Sequence, residues 1–190
     1  MAHKFEPRHW ERLVSSERRA FLDPDRFLDV IGIPTGHVVA DLGAGPGFFT
    51  LPLAERVGPG GKVFALDVAP EMVALLRERQ LPAQVEVLLS GETRLPLPDH
   101  AADLALLAFV LHELENPAKF LAEVRRIVRA HGRLVVLEWV PQEEEMGPPL
   151  HERLSPKASA KLLGDAGFRA VESGMANGSN YYQVVSPTAE

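Results

Sequence analysis

The sequence holds no cysteine. Disulfides, thiolate nucleophiles and thiolate metal ligands are excluded together. It also lacks any stretch near the ~20 apolar residues that cross a bilayer. The longest uninterrupted apolar run is Leu104 to Leu111, and the opening MAHKFEPRHW has no apolar signal region. A cytoplasmic protein with no membrane partner is expected. Basic excess is missing too, since 20 Lys and Arg stand against 26 Asp and Glu for a net charge of −6. That balance disfavours a phosphate-tracking surface, and the one dense basic cluster, Arg125, Arg126 and Arg129, has the spacing of an amphipathic helix. Nucleic acid is not expected as a partner. The stretch HELEN lacks the second histidine of H-E-x-x-H, so no metal pair is expected.

What the chain does contain is alternation. At 190 residues it is long enough for one self-sufficient domain, expected to run over 1–190. Between 37 and 139, short β-branched apolar runs alternate with longer amphipathic ones, the pattern of βα units on a mostly parallel sheet. The periodicity predicts strands at 37–42, 62–67, 84–89, 102–108 and 132–139, then two more at 168–173 and 180–186. Helices are predicted at 47–57, 70–80 and 117–130. Pro70, the pair Asn116-Pro117 and the pair Ser155-Pro156 mark helix starts. Two short helices are predicted in the first 30 residues. The parts are then an N-terminal helical cap (1–33), a cofactor-binding core (34–140) and an acceptor-side loop, helix and final strands (141–190).

The stretch VVADLGAGPGFFTLPLA (38–54) carries the first chemical signal. In an open parallel sheet a ligand sits beyond the carboxyl ends of the strands, and the first βα turn supplies glycines. Gly43 suits the tight turn, Gly45 lets a ligand lie on bare backbone, and Gly47 permits close helix packing. Dinucleotide sites favour G-x-G-x-x-G, whereas here the third glycine comes one residue early, which disfavours a nicotinamide-dependent oxidoreductase. Asp41, just before the turn, would oppose a pyrophosphate but suits a ligand carrying an ammonium and a sulfonium, as S-adenosylmethionine does. Asp67, twenty residues after Gly47, stands where a carboxylate reaches both ribose hydroxyls. Capping of the helix that starts near Pro70 is its other reading, and the two are compatible.

These residues, with VFALDVAPEMV, LPLPDHAADLALLAFVLHEL and FLAEVRRIVRAHGRLVVLEW, resemble the class I S-adenosylmethionine-dependent methyltransferases, in the ubiquinone/menaquinone-type branch. The resemblance implies an α/β, Rossmann-like, doubly wound seven-stranded sheet with helices on both faces and the last strand antiparallel beside the fifth. It implies S-adenosylmethionine as cofactor, a small-molecule methyl acceptor, and cofactor contacts from Asp41, Gly43, Ala44, Gly45, Gly47, Asp67, Val68, Met72 and Ala108. The family's adenine-contacting acid falls on Gly91 here, leaving Glu92 at the next position as its substitute. The usual Pro-Gly-Gly turn before the fifth strand reads Ala130-His131-Gly132.

In this architecture residues after the fourth and fifth strands face the methyl group. His112 and Glu113 are the catalytic candidates, His112 as a base or as a positioning group. Glu138 and Trp139 are candidates on the acceptor side. The loop PQEEEMGPPLHERLSP reads as a lid turning Met146, His151 and Arg153 inward, or as a solvated linker. His9 and Trp10 are candidates to complete the pocket. The rival outside enzymology is a non-catalytic module that binds S-adenosylmethionine.

Overall fold

The computed structural model describes residues 7–188. The part of the expected N-terminal cap before Pro7 lies outside the described residues. Seven strands form one sheet: β1 (Val38–Leu42), β2 (Lys62–Asp67), β3 (Val85–Leu89), β4 (Ala102–Ala108), β5 (Val128–Trp139), β6 (Phe168–Met175) and β7 (Asn180–Pro187). Their order is β3-β2-β1-β4-β5-β7-β6. The first five are parallel, and β7 runs antiparallel between β5 and β6. The direction of winding therefore reverses between β1 and β4, which opens a crevice at their carboxyl ends.

Side-chain alternation splits the core in two. Val39, Val63, Leu104, Leu106, Val135 and Leu137 face one layer, which holds α2 (Pro24–Ile31), α3 (Thr50–Val57) and α4 (Pro70–Arg77). Ala40, Leu42, Ala105, Leu107, Leu134 and Val136 face the other, covered by α5 (Pro117–Ile127) and α6 (Pro156–Asp165). Strands buried on both faces read as nearly continuous apolar runs, as β1 and β4 do apart from one aspartate in each, Asp41 and Asp103. The helices start where their capping chemistry says. Asn116 accepts from the Lys119 N–H at 3.1 Å and Ser155 from the Ala158 N–H at 3.1 Å, each followed by proline.

Three expectations shift. The chain before β1 forms three pieces, a 3-10 helix over Pro7–Val14, α1 (Ser16–Phe21) and α2, because Ser15 and Asp23 each cap a new start. The helix expected from 47 begins at Thr50, since Gly47 at φ +93° keeps the turn open. The helix expected to reach 130 ends at Ile127. Buried Val128 pairs with Ala102, so Ala130-His131-Gly132 lies inside β5 rather than in a turn before it.

Candidate active site

The crevice between β1 and β4 opens into a cavity of about 1460 Å³. Small-molecule sites commonly span about 300–1,000 Å³, so there is room for two molecules side by side. Its floor is the turn after β1. Gly43 and Ala44 donate their N–H groups to the Leu66 carbonyl at 2.8 and 2.9 Å, tying the turn to β2. Gly43 has φ +75°, and a Cβ there would collide with the Val110 side chain. Gly47 plays the packing part, since a Cβ there would lie 2.6 Å from Leu76 of α4. It does not line the cavity, whereas Asp41, Gly43, Ala44 and Gly45 do.

Asp41 is buried and accepts from the Thr50 hydroxyl at 2.6 Å. Burial pushes its carboxyl up to about 7; the Thr50 hydrogen bond works against that and nearby Asp67 adds to it. Asp67 performs the bracing that a cap requires. Its two oxygens accept from the Gly45 N–H at 2.8 Å and the Ala69 N–H at 2.9 Å, linking the glycine turn to the start of α4. Burial raises its pKa while those backbone donors hold it down, and the net direction is upward. A carboxylate has about four lone-pair sites, so with Val68 as a third backbone donor about one remains for a ribose hydroxyl. Val68, Met72, Gly91, Glu92 and Ala108 line the same cavity. Two supports escaped the sequence reading: Thr50, and Arg79, which donates to the Pro46 carbonyl at 2.5 Å and fixes the turn from outside.

Across the cavity, the ends of β4 and β5 bring His112 and Glu138 together. His112 Nδ1 lies 2.8 Å from Glu138 Oε2 and 3.0 Å from Oε1. The same carboxylate accepts from the backbone N–H groups of His112, at 3.2 Å, and Trp139, at 3.3 Å. Glu138 is fully buried behind the ring, so it orients His112 rather than lining the cavity. A carboxylate facing Nδ1 keeps the proton there and leaves Nε2 as the exchanging nitrogen, with Glu113 Oε1 3.9 Å away. Burial pulls the imidazole down, but the hydrogen bond to Glu138 and the charges of Glu138, Glu113 and Glu152 outweigh it, and His112 is raised above its ordinary value.

The far wall is aromatic. Phe109 follows β4 at φ +61°, a strained value for a side chain other than glycine's, which costs of order 1–3 kcal/mol. Its ring lies 5.2 Å from Trp139, and Trp139 stacks on Phe21 at 5.7 Å. Met146 and Gly147 roof this wall, and a Cβ on Gly147 would lie 2.8 Å from the indole. His9 lines the cavity, but Trp10 does not. The His151 side chain is 80% exposed, outside the cavity. Arg153 also points elsewhere. Its guanidinium is buried and donates to the carbonyls of Pro148, Gln142 and Met146 at 2.7–2.9 Å and of Val140 at 3.4 Å, and to Glu144 at 3.2 Å. The loop after β5 is thus held by its own backbone, as a fixed wall.

The family model described as a methyltransferase domain matches residues 40–136. The chain is 34% identical over 119 residues to the ubiquinone/menaquinone biosynthesis C-methyltransferase UbiE of Cupriavidus necator, over 60% of this chain and 49% of that one. It is 43% identical over 113 residues to an uncharacterized 37.1 kDa protein in transposon TN4556 of Streptomyces fradiae, over 58% of this chain and 32% of that one. The chain therefore spans about a third to a half of the length of these two relatives. The crystal structure of a SAM dependent methyltransferase from Aquifex aeolicus superposes with a TM-score of 0.94 at 34% identity, covering 97% of this chain and 100% of that one.

Proposed function

The chain belongs to the class I S-adenosylmethionine-dependent methyltransferases, in the UbiE-like branch, and on that footing we propose that it transfers a methyl group to a hydroxylated aromatic small molecule. The observation that carries the acceptor class is the His112–Glu138 pair, whose imidazole lines the same cavity as the aromatic wall. The same class of acceptor is in keeping with the quinone-pathway C-methyltransferase it resembles.

The residues present fit the cofactor. Bare backbone at Gly43 and Gly45, with Asp41 ahead of the turn, suits the cationic methionine end. Asp67 has a lone-pair site left for the ribose, and Met72, Gly91 and Glu92 border the space for adenine. When bound, S-adenosylmethionine supplies an electrophilic methyl group on a sulfonium, so the protein has to align the acceptor and exclude water. Phe109, Trp139 and Met146 provide an apolar wall for that. His112 Nε2 takes the acceptor's hydroxyl proton while Glu138 stabilises the imidazolium, leaving an electron-rich ring or oxygen as the nucleophile.

The test is incubation with methyl-labelled S-adenosylmethionine and a hydroquinone, with calorimetry of S-adenosylmethionine, its demethylated product and NAD in parallel. Label in the aromatic product, lost in His112→Ala while cofactor affinity is kept, is the expected result. Cofactor binding with no transfer to any phenolic acceptor would favour the non-catalytic module, and tight NAD binding alone would sink the assignment.

A further inference from the structure

Three of the described arginines are each held by several acceptors. Arg56 bonds Asp25 and Asp29, Arg126 bonds Glu123, Asp99 and two carbonyls, and Arg153 bonds four carbonyls and Glu144. Arg18, on α1, lines the cavity with its guanidinium over the rings of Phe48, at 5.0 Å, and Phe109, at 5.3 Å. Among the described residues no acceptor lies within hydrogen-bond or ion-pair distance of that guanidinium. Glu113 is felt only at longer range. None of its nitrogens is a buried atom lacking a partner, so the guanidinium presents its N–H donors to the cavity while two aromatic faces hold it in place. Burial lowers Arg18 to about 10, with Glu113 opposing, so it is a cation at neutral pH.

The surroundings make this placement selective. Glu113, Glu145 and Glu152 also border the cavity, and Arg12, which lines its rim, is exposed. Among the arginines that line the cavity, Arg12 and Arg18, only Arg18 is half-buried and lies over aromatic rings. Phe109 links the two features, since its ring lies 5.3 Å from the Arg18 guanidinium and 5.2 Å from the Trp139 ring. We propose that Arg18 is the acceptor-recognition residue, and that the methyl acceptor is an aromatic oxyanion whose carboxylate or phenolate oxygen sits on the Arg18 guanidinium while its ring lies along Phe109 and Trp139. The guanidinium fork matches a carboxylate with two parallel hydrogen bonds and a phenolate with one.

This inference rests on the methyltransferase reading, and one experiment separates their failures. The protein, saturated with demethylated cofactor, is titrated calorimetrically with 2-naphthoate, 2-naphthol and neutral 2-naphthamide, and the series is repeated with Arg18→Gln and Arg18→Lys. The expected result is a preference for naphthoate over naphthamide of about tenfold or more, reduced below about twofold in Arg18→Gln and partly kept in Arg18→Lys. Naphthol that tightens only toward about pH 9, in an Arg18-dependent manner, assigns the phenolate as the preferred oxyanion. Equal affinities for the three probes, no binding by any of them, or a preference that survives Arg18→Gln overturns the proposal. Cofactor titration is the control: no cofactor binding by the unsubstituted protein sinks the methyltransferase reading, whereas normal cofactor binding without anion preference sinks Arg18 alone. Unchanged cofactor affinity in Arg18→Gln shows that the variant has folded.

Discussion

Asp41, proposed to face the cationic end of the cofactor, is costly to the ligand-free fold when ionised. Its carboxyl titrates near 7 in the folded chain against 3.8 ordinarily. The folded state therefore favours the protonated form. That contribution is complete below the unfolded value and is lost as pH rises through about 7, leaving a cost of up to about 4 kcal/mol at about pH 8. Asp41→Asn keeps an acceptor for Thr50. It should raise the melting midpoint by several degrees at about pH 8 and leave it nearly unchanged at about pH 4. Cofactor affinity should fall in the same variant. Equal melting shifts at both pH values would contradict the titration of Asp41. His112 carries a second prediction. As a base it works deprotonated, so kcat/KM should rise with pH along a limb above the ordinary imidazole value of about 6.5. Glu138→Gln removes the charge that holds the ring up, and the limb should move down while the plateau drops, because the ring is no longer oriented. A pH–rate profile with an unmoved limb assigns the titration to another group.

At the scale of elements, the segment between β5 and α6 depends on a single side chain. Arg153 donates to the carbonyls of Val140, Gln142, Met146 and Pro148 while lying 5.3 Å over the Trp139 ring. Arg153→Met fills similar space but leaves those carbonyls without a donor, at a cost of about 2–4 kcal/mol. Hydrogen exchange or limited proteolysis should then show the 140–149 loop opening while the sheet stays protected. Uniform loss of protection would mean that the loop and sheet unfold as one unit. Elements with chemical punctuation were legible in the sequence: Pro70, Asn116-Pro117 and Ser155-Pro156 start helices where expected. The misread boundaries have tertiary causes, since Val128 joins β5 only because Ala102 is there to pair with it. The candidate site divides the same way. Gly43, Gly45, Asp67 and His112 announce themselves by position after a strand. Arg79, which reaches the carbonyl of Pro46, and Arg18, which reaches rings at 48 and 109, leave no periodic trace in the chain. Arg153 fits neither an inward-facing lid nor a solvated linker, because a basic residue in a loop after β5 has no local sequence feature that reveals which carbonyls it will find.

For the whole molecule, the titrating groups set a stability window with two sides. Asp103, Glu123 and Glu144 are all lowered. Burial opposes this for Asp103 and Glu144, where hydrogen bonds and arginine charge prevail; for Glu123 the Arg126 bond leads. Their contribution is present above the ordinary carboxylate range and fades as pH falls through the lowered values. Asp41, Asp67 and His112 are raised; the contribution of Asp41 fades as pH climbs through about 7, and those of Asp67 and His112 fade as pH climbs through their raised values. The ligand-free protein should be most stable in mildly acidic solution. Because a cationic ligand favours ionised Asp41, the rise in melting midpoint on adding S-adenosylmethionine should be larger at about pH 8 than at about pH 5. A rise independent of pH would remove Asp41 from the cofactor's surroundings. The grip of Arg153 on main-chain carbonyls has a consequence for how such a chain diversifies. A loop whose path is set through its backbone can exchange the side chains at 145 and 146 without losing its shape. A saturation library at those two positions should yield mostly folded members with divergent acceptor preferences, so this part of the wall can be retooled while the cofactor half stays untouched.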